Sequence, residues 1–230
     1  MKIAVIHQPQ YLPYLGFFHK LQKGDIFVVM DSVQFQRRGV QHRNQIKTSQ
    51  GAQWLTVPVL HRSRDEERIN EMLINSEFPW SHKHWHTLMT NYSRTPYFDK
   101  YSSGLEEILT REWNNLCQLD MALIEWVMEN LGIKKSIIYM SALEVEGNKS
   151  ELLIDICKAV GADTYLSGSG GKNYMDMAAF EAAGINVLWQ EFNYPSYVQA
   201  FPELGFIPNL SIVDTLFCCG PETRKFLELN

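Results

Sequence analysis

Short apolar runs and longer helical patterns alternate along most of the chain. Six runs rich in β-branched and aromatic residues predict buried strands, and they span 2–7, 25–31, 54–60, 136–142, 163–168 and 185–192. Between most of these runs, apolar residues recur every three or four positions, which predicts helices. This alternation predicts an α/β fold with a mostly parallel central sheet and helices on both faces. The first run shows no polar alternation, so we expect it to lie inside the sheet rather than at its edge.

The segment around 81–132 interrupts the alternation with three helical patterns in succession. From 136 to 192 the order is strand, helix, strand, helix, strand, which predicts two right-handed crossover units. The first of these two helices is predicted to start near Asn148 or Ser150. We therefore expect a single α/β domain over 1–230 that carries a helical insertion.

Composition narrows the class of protein further. The 230 residues are 45% hydrophobic and 20% charged, as in ordinary globular proteins, and the net charge of -5 argues against nucleic acid or an anionic membrane as the partner. The first apolar run is too short for a signal peptide or a membrane span, so we expect no stable membrane insertion. The four cysteines lack metal-ligand spacing and favour reduced thiols in the cytoplasm.

The candidate chemistry lies where strands of the predicted sheet end. In open α/β sheets, ligands bind outside the carboxyl ends of the strands. Four segments follow predicted strands at that edge, namely 7–16, 31–47, 141–150 and 167–174. Each of these segments is a candidate for binding a small molecule.

The first segment reads "HQPQYLPYLG" and combines two prolines with His7, Gln8, Gln10 and Tyr11. The prolines stiffen the turn, and the helix that follows offers unpaired backbone amides to an anion. His7 ends one predicted strand and Asp31 ends the next, so we expect the two side chains to meet. A carboxylate beside a histidine raises its pKa and suits a general base. A purely structural turn is the alternative.

The second segment concentrates positive charge in an acidic protein. Within eleven positions it holds a cluster that suits phosphate or carboxylate recognition, consisting of Arg37, Arg38, His42, Arg43 and Lys47. We expect Arg37, Arg43 and Lys47 to converge on the cleft below His7. A solvated surface loop is the alternative.

The fourth segment, "SGSGGKNY", places Ser169, Gly170, Gly171, Lys172 and Asn173 between a strand and a helix. Small residues allow backbone amides to approach an oxyanion, although the spacing is not that of a Walker A loop. A flexible connection explains the pattern equally well.

A possible metal pair lies in the helical insertion, where His82 and His86 are four residues apart on one helix face. The zinc-protease pattern is absent because no glutamate follows the first histidine. A solvent-facing helix is favoured, and no metal site is predicted.

Four blocks of sequence resemble the WbqC-like protein family. They read "HQPQYLPYLGFFHKL", "DIFVVMDSVQFQRRGVQHRNQIKTSQGAQWLTVPV", "YLSGSGGKNYMD" and "LSIVDTLFCCG", and the resemblance covers nearly the whole chain. It implies a bacterial protein of O-antigen or other surface-polysaccharide biosynthesis. The implied activity is transfer of an acyl or amino-acid-derived group onto a sugar, or a supporting role in that process.

A second similarity concerns the first turn. A strand, a proline-containing turn and "YLGF" at the start of a helix are similar to the His-x-Gly-His turn of nucleotidylyltransferases. Tyr14 and Phe17 stand where the two histidines would be, so the similarity implies a related fold without the groups that bind ATP phosphates. We therefore expect no adenylyl transfer by that route.

These observations lead to one main hypothesis and one alternative. The main hypothesis is a transferase acting on a nucleotide-linked or phosphorylated amino sugar, with His7 or Asp31 as the catalytic base. The alternative is a non-catalytic protein that binds the same kind of ligand, and a metal-dependent hydrolase ranks third. The predicted substrate-binding residues are Gln8, Gln10, Tyr11, Arg37, Arg38, His42, Arg43, Asn44, Lys47, Ser169, Gly170, Gly171, Lys172 and Asn173. The cofactor and the oligomeric state are left open.

Overall fold

The computed structural model describes residues 1–61, 67–147 and 149–228. Its strands, in chain order, are β1 (Ile3–His7), β2 (Ile26–Val29), β3 (Arg43–Thr48), β4 (Gly51–Thr56), β5 (Val59–Leu60), β6 (Leu73–Ile74), β7 (Ser136–Tyr139), β8 (Thr164–Ser167) and β9 (Asn186–Trp189). Its α-helices are α1 (Leu15–Lys23), α2 (Trp80–Tyr92), α3 (Phe98–Thr110), α4 (Leu116–Leu131), α5 (Lys149–Ala159), α6 (Met177–Ala182), α7 (Ile212–Cys219) and α8 (Thr223–Phe226). Asn148, predicted near the start of a helix, lies outside the described residues.

Five parallel strands form the central sheet in the order β7-β2-β1-β8-β9. The position of β1 between β2 and β8 confirms that the first apolar run lies inside the sheet. Counting only these five strands along the chain, their order is 3-2-1-4-5, which is the doubly wound arrangement. In that arrangement the strand order reverses between β1 and β8.

Alternate side chains of the central strands enter two separate cores. Val5 and Phe27 pack with residues of α1, α4 and α7 on one face, whereas Ala4 and Val28 pack with residues of α5 and α6 on the other. This alternation follows from the two-residue repeat of a strand. Helices therefore cover both faces of the sheet, as predicted.

The helical insertion is also confirmed, because α2, α3 and α4 follow one another between 80 and 131. The boundaries of α4 follow local sequence signals. The Asn115 side chain accepts a hydrogen bond from the backbone N–H of Gln118 and caps the start, while Gly132 adopts a left-handed φ of 68° and ends the helix.

The prediction of a sheet strand over 54–60 is wrong. The segment is divided between β4, which pairs antiparallel with β3, and β5, which pairs with β6 outside the central sheet. Pro58 lies between the two pieces and has no N–H to donate to a ladder, so it interrupts the strand. The predicted loop at 31–47 also contains the first residues of β3.

One carboxyl group in the core has no obvious role in holding the fold. Asp120 on α4 is fully buried, and neither of its carboxyl oxygens has a hydrogen-bond partner among the described residues. Burial raises the pKa of Asp120 well above its usual range. Burial, and to a smaller extent the negative charge of an ionised Asp120, raise the pKa values of Tyr11 and Cys117. The protonated form of Asp120 is therefore the one that suits the folded protein.

Burial of β1 can be tested by a matched pair of valine substitutions. Val5 is 1% exposed and Val198 is 79% exposed. We expect Val5→Ala to lower the free energy of unfolding by about 1.5–3 kcal/mol, because it removes two buried methyl groups and leaves a cavity. Val198→Ala should change it by less than about 0.5 kcal/mol. Urea unfolding followed by circular dichroism measures both, and equal effects would contradict the central position of β1.

Asp120 gives a prediction about pH. Because its folded-state pKa is raised, Asp120 holds its proton more tightly in the folded protein than in the unfolded chain, and its contribution to stability falls as pH rises above about 4. Asp120→Asn should remove this loss. Its stability advantage over the unmodified protein should be small near pH 4 and grow toward pH 8, by at most about 1.4 kcal/mol per pH unit. Thermal unfolding across that range measures the difference, and a constant difference would contradict the raised pKa.

Candidate functional site

A large cavity opens at the carboxyl edge of the central sheet. Its wall includes His7 at the end of β1, Met30 after β2, Met140 after β7 and Ser167 at the end of β8. Its volume is about 1130 Å³, slightly above the usual range of roughly 300–1,000 Å³ for small-molecule sites. The cavity lies at the edge of the sheet where doubly wound proteins bind ligands. Its volume is sufficient for a ligand that consists of two groups, such as a sugar joined to a phosphate.

The charge of this cavity differs from that of the protein as a whole. Among the described residues that line it are three cationic side chains, Lys20, Arg68 and Lys149, and a single carboxylate, Glu146. The whole chain has a net charge of -5. A local excess of positive charge favours an anionic ligand.

Lys20 is the most enclosed of the three cations. It lies on α1 and is 4% exposed, and its Nζ atom donates a hydrogen bond of 3.5 Å to the carbonyl oxygen of Ile6. Burial lowers the pKa of Lys20 to about 8. α1 places this side chain against the end of β1, beside His7.

His7 lines the cavity as a neutral ring. Its Nδ1 atom lies 3.0 Å from the carbonyl oxygen of Gln8, so Nδ1 carries the proton and Nε2 keeps a lone pair. The ring also packs edge-on against Phe17, with 4.8 Å between the ring centroids. Burial and the positive charge of Lys20 lower the pKa of His7 to about 3. The predicted rise in pKa is wrong, because the ring is buried and the neighbouring charge is positive.

Asp31 does not meet His7 in the described structure. Its carboxylate accepts hydrogen bonds from the backbone N–H of Ser141 at 2.9 Å, from the Ser141 hydroxyl at 2.6 Å and from the Asn70 side chain at 3.5 Å. These bonds tie the end of β2 to the segment after β7 and to the turn that contains Asn70. A catalytic role for His7 or Asp31 stays a prediction, but the expected contact between them is wrong.

The turn "HQPQYLPYLG" contributes only its first two residues, His7 and Gln8, to the cavity wall. Gln8 accepts a hydrogen bond of 2.8 Å from the side chain of Gln41. Gln10 is 9% exposed and does not line the cavity. Tyr11 is fully buried, and its hydroxyl lies 2.8 Å from Nδ1 of His84. Gln10 and Tyr11 therefore do not line this cavity, and their predicted role in substrate binding stays a prediction.

The cationic loop is directed elsewhere, which corrects the predicted convergence on the cleft. The side chains of Arg37 and Arg38 are exposed, and neither lines the cavity. The Arg43 guanidinium donates to the carbonyl oxygens of Arg38 at 2.7 Å and Gly39 at 3.3 Å, and it stacks on Trp54. The hydrogen-bond donors of Arg43 are thus used by backbone carbonyl groups of its own loop.

The remaining members of that segment also serve the fold. His42 is buried against Phe35, and burial and nearby positive charge lower its pKa to about 4. Asn44 donates a hydrogen bond of 2.7 Å to the carbonyl oxygen of Leu12. Lys47 is fully buried, and its Nζ atom donates to the carbonyl oxygen of Gly205 at 2.6 Å.

The final family block forms a buried polar network rather than part of the cavity. Asp214 is fully buried and accepts hydrogen bonds from Tyr92 at 2.8 Å, Tyr197 at 2.7 Å and Gln199 at 3.0 Å. Burial raises the pKa of Asp214. The network connects α7 to α2 and to the chain that follows β9.

The glycine segment is partly at the cavity. Gly170 and Gly171 line it together with Gly168, whereas Ser169, Lys172 and Asn173 do not. Lys172 instead lies over the ring of Trp189 at 5.4 Å. A Cβ atom at Gly171 would collide with the hydroxyl of Ser167 and the sulfur of Met175, so a larger residue there requires these side chains to shift.

The sequence did not identify the charged residues that line the cavity, which are Lys20, Arg68, Glu146 and Lys149. Lys20 shares its helix with His19, Gln22 and Lys23, so nothing in the sequence sets it apart from a lysine on a solvent-facing side of a helix. Glu146 and Lys149 belong to a segment that was predicted to face the cleft, although neither residue was singled out. Arg68 carried no signal, because only the fold brings it to the cavity.

The described residues were also compared with the requirements of a metal site and of a membrane-spanning helix. Within the described ranges, no three His, Cys, Asp or Glu side chains group together in a way that could hold a metal ion, and His82 and His86 are both exposed. In the part of the chain that the structure describes, no helix is long and apolar enough to cross a membrane.

The strand order and the cavity at the carboxyl edge define an α/β protein with a doubly wound parallel sheet. The chain belongs to the WbqC-like protein family, whose model matches residues 8–226. It is also 34% identical, over 229 residues, to an uncharacterized protein of Mycobacterium tuberculosis, Rv1507c, and the match covers 99% of this chain and 98% of that protein. No solved structure matches the chain. The family resemblance is confirmed, and the relation to nucleotidylyltransferases stays a prediction.

The structural role of Asp31 predicts a specific pattern of stability. Asp31→Ala should lower the free energy of unfolding by at least about 1.5–3 kcal/mol, because hydrogen bonds to a charged group contribute that much. Ser141→Ala should cost about 1 kcal/mol alone and much less in the Asp31→Ala background, since the bond they share is already lost. Urea unfolding of the four proteins measures this coupling, and strictly additive effects would show that the bond contributes nothing.

Proposed function

We propose that this protein is a transferase that places an acyl or aminoacyl group on a phosphorylated or nucleotide-linked amino sugar. The cavity at the carboxyl edge is the proposed substrate site, and surface-polysaccharide biosynthesis is the proposed setting. The observation that carries the proposal is the excess of cationic side chains in the cavity of an acidic protein. Membership of the WbqC-like family supports the setting.

The phosphate end of the substrate is assigned to the rim of the cavity. Arg68 and Lys149 line the cavity and are exposed, so both can reach an anion without a large desolvation cost. A guanidinium offers paired donors that match phosphate oxygens, and an ammonium adds a point charge. We assign these two residues in place of Arg37 and Arg43.

The sugar end is assigned to the uncharged polar wall. Gln8, Gln34, Gln36 and Ser167 supply side-chain amides and a hydroxyl that both donate and accept hydrogen bonds. Glu146 supplies an acceptor for an amino group. The lone pair on Nε2 of His7 can accept a hydrogen bond from the same amine and orient it.

The proposed setting includes the cytoplasm. The described cysteines Cys117, Cys157, Cys218 and Cys219 are all free thiols, which are typical of a reducing compartment. Nucleotide-linked sugars are the expected small-molecule partners there.

The second candidate function is a protein that binds the same ligand without turning it over. It is favoured by the low pKa of His7, because a base that weak accepts a proton poorly at neutral pH. The two functions share one binding site, so binding experiments test both. Only product formation separates them.

The binding prediction uses two arginines as a matched pair. A thermal-shift screen with UDP-sugars, dTDP-sugars, sugar phosphates and free sugars should show stabilisation by phosphorylated ligands only. A ligand at 100 times its Kd stabilises by about 2.7 kcal/mol. Arg68→Gln should then weaken binding by about 1.5–3 kcal/mol, or roughly 10- to 100-fold, measured by calorimetry.

Arg37→Gln serves as the control, because Arg37 is exposed and does not line the cavity. It should leave the Kd unchanged. Stronger weakening by Arg37→Gln than by Arg68→Gln would move the site to the cationic loop. Stabilisation by free sugars alone, or by none of the four classes, would contradict an anionic substrate.

A further inference from the structure

The ammonium group of Lys20 is buried with little to stabilise its charge. It is 4% exposed, and within the described ranges its one hydrogen-bond acceptor is the carbonyl oxygen of Ile6, at a long distance of 3.5 Å. Among the described residues, no carboxylate lies within 4 Å of its Nζ atom. An ammonium has three N–H donors, so most of its hydrogen-bonding capacity is unused.

Its place in the fold directs this group toward a ligand. Lys20 lines the cavity beside His7, at the end of β1, where the strand order reverses toward β8. A lysine that serves only to pack a helix would keep its charged end in water. Here the stem and the charged end are both enclosed, and the space that remains beside the group is the cavity itself.

We propose that Lys20 is the reactive amine of the cavity and acts as the proton acceptor for the substrate's nucleophile. This inference rests on the proposed function, because it takes the substrate to be an amino sugar. It assigns the role of general base to Lys20 on α1, in place of His7 or Asp31, which the sequence predicted.

The proposed acyl donor is an activated one, such as a thioester. The sugar amine attacks the acyl carbon, and a C–N bond forms while the C–S bond breaks. The neutral amine of Lys20 takes the proton released by the attacking nitrogen and becomes an ammonium. The thiolate leaves with the electron pair and receives that proton, which restores neutral Lys20. No oxidant or reductant is required.

The surroundings of Lys20 suit this role. The other titratable or charged groups that line the cavity in the described part of the chain are His7, Arg68, Glu146, Lys149, Tyr165 and Tyr174. His7 is neutral at physiological pH, and the pKa of Lys20 is lowered to about 8 by burial. A group with such a pKa is partly deprotonated near neutral pH, which is the condition for an effective general base.

The experiment measures the reactivity of each lysine in the intact protein. Trace labelling with acetic anhydride from pH 6 to 11, followed by peptide mass spectrometry, gives a rate for every lysine. We expect labelling of Lys20 to reach half its maximum near pH 8. Lys23 is the matched control, because it lies on the same helix and is exposed. We expect the labelling curve of Lys20 to reach its midpoint at a lower pH than the curve of Lys23.

Two outcomes would overturn the proposal. Lys20 that stays unlabelled at every pH is not reachable from the cavity. Lys20 that titrates together with Lys23 is an ordinary lysine, and its role is limited to its charge. Circular dichroism of the labelled protein confirms that the fold is intact at each pH used.

A second arm separates this inference from the proposed function. UDP-N-acetylglucosamine is added during labelling as the probe for a nucleotide sugar. Protection of Lys20 but not Lys23 supports both proposals. A midpoint near pH 8 without protection by this probe or by the phosphorylated ligands of the screen retains the reactive amine and rejects the substrate class.

Lys20→Arg distinguishes a base from a fixed charge. Arginine keeps the positive charge but stays protonated. If Lys20 is the base, the variant should retain ligand binding within a few-fold and lose at least about 100-fold in transfer rate, the usual contribution of general base catalysis. Unchanged transfer by Lys20→Arg would show that the charge alone matters. Lys23→Arg is the matched control and should leave both quantities unchanged.

Discussion

The site depends on one constraint, which is that β1 pairs in parallel with β2 on one side and β8 on the other. Parallel pairing brings the carboxyl ends of these strands to the same edge. The reversal of strand order between β1 and β8 then leaves a crevice that no connecting segment fills. His7, Ser167 and the glycine segment all owe their place at the cavity to this pairing. The central strand is thus the element on which both the sheet and the site are built.

Buried polar contacts hold the irregular chain around that sheet. Asp31 bonds to Ser141, Asn44 bonds to the carbonyl oxygen of Leu12, and Asp214 binds two tyrosines and a glutamine. Loops without regular hydrogen-bond ladders must find partners for their polar groups in this way. Polar residues that resemble functional residues in the sequence are therefore largely those that hold the long insertion and the C-terminal part of the chain in place.

This explains what the sequence could and could not predict. The position of β1 was predictable because its apolar run is continuous, and the succession α2, α3 and α4 was predictable because apolar residues repeat there with the period of a helix. The strand over 54–60 was predicted wrongly because composition alone does not show which sheet a strand joins. Arg43 was assigned to the cleft because clustered charge is visible in a sequence, whereas the carbonyl groups that satisfy it are not. Lys20 was missed for the opposite reason, since a single lysine in a helix usually faces water. The single-domain organisation over 1–230 stays a prediction.

The pairing of β1 with β8 also has a consequence for synthesis of the protein on the ribosome. Ile3 pairs with Thr164, so the two partners are separated by most of the chain. At about 5–20 residues per second, roughly 10–30 s pass between the appearance of one partner and the other. During that time β1 presents an unpaired apolar edge to the cell, and such edges promote aggregation. The nascent chain is thus a natural client for chaperones until β8 arrives.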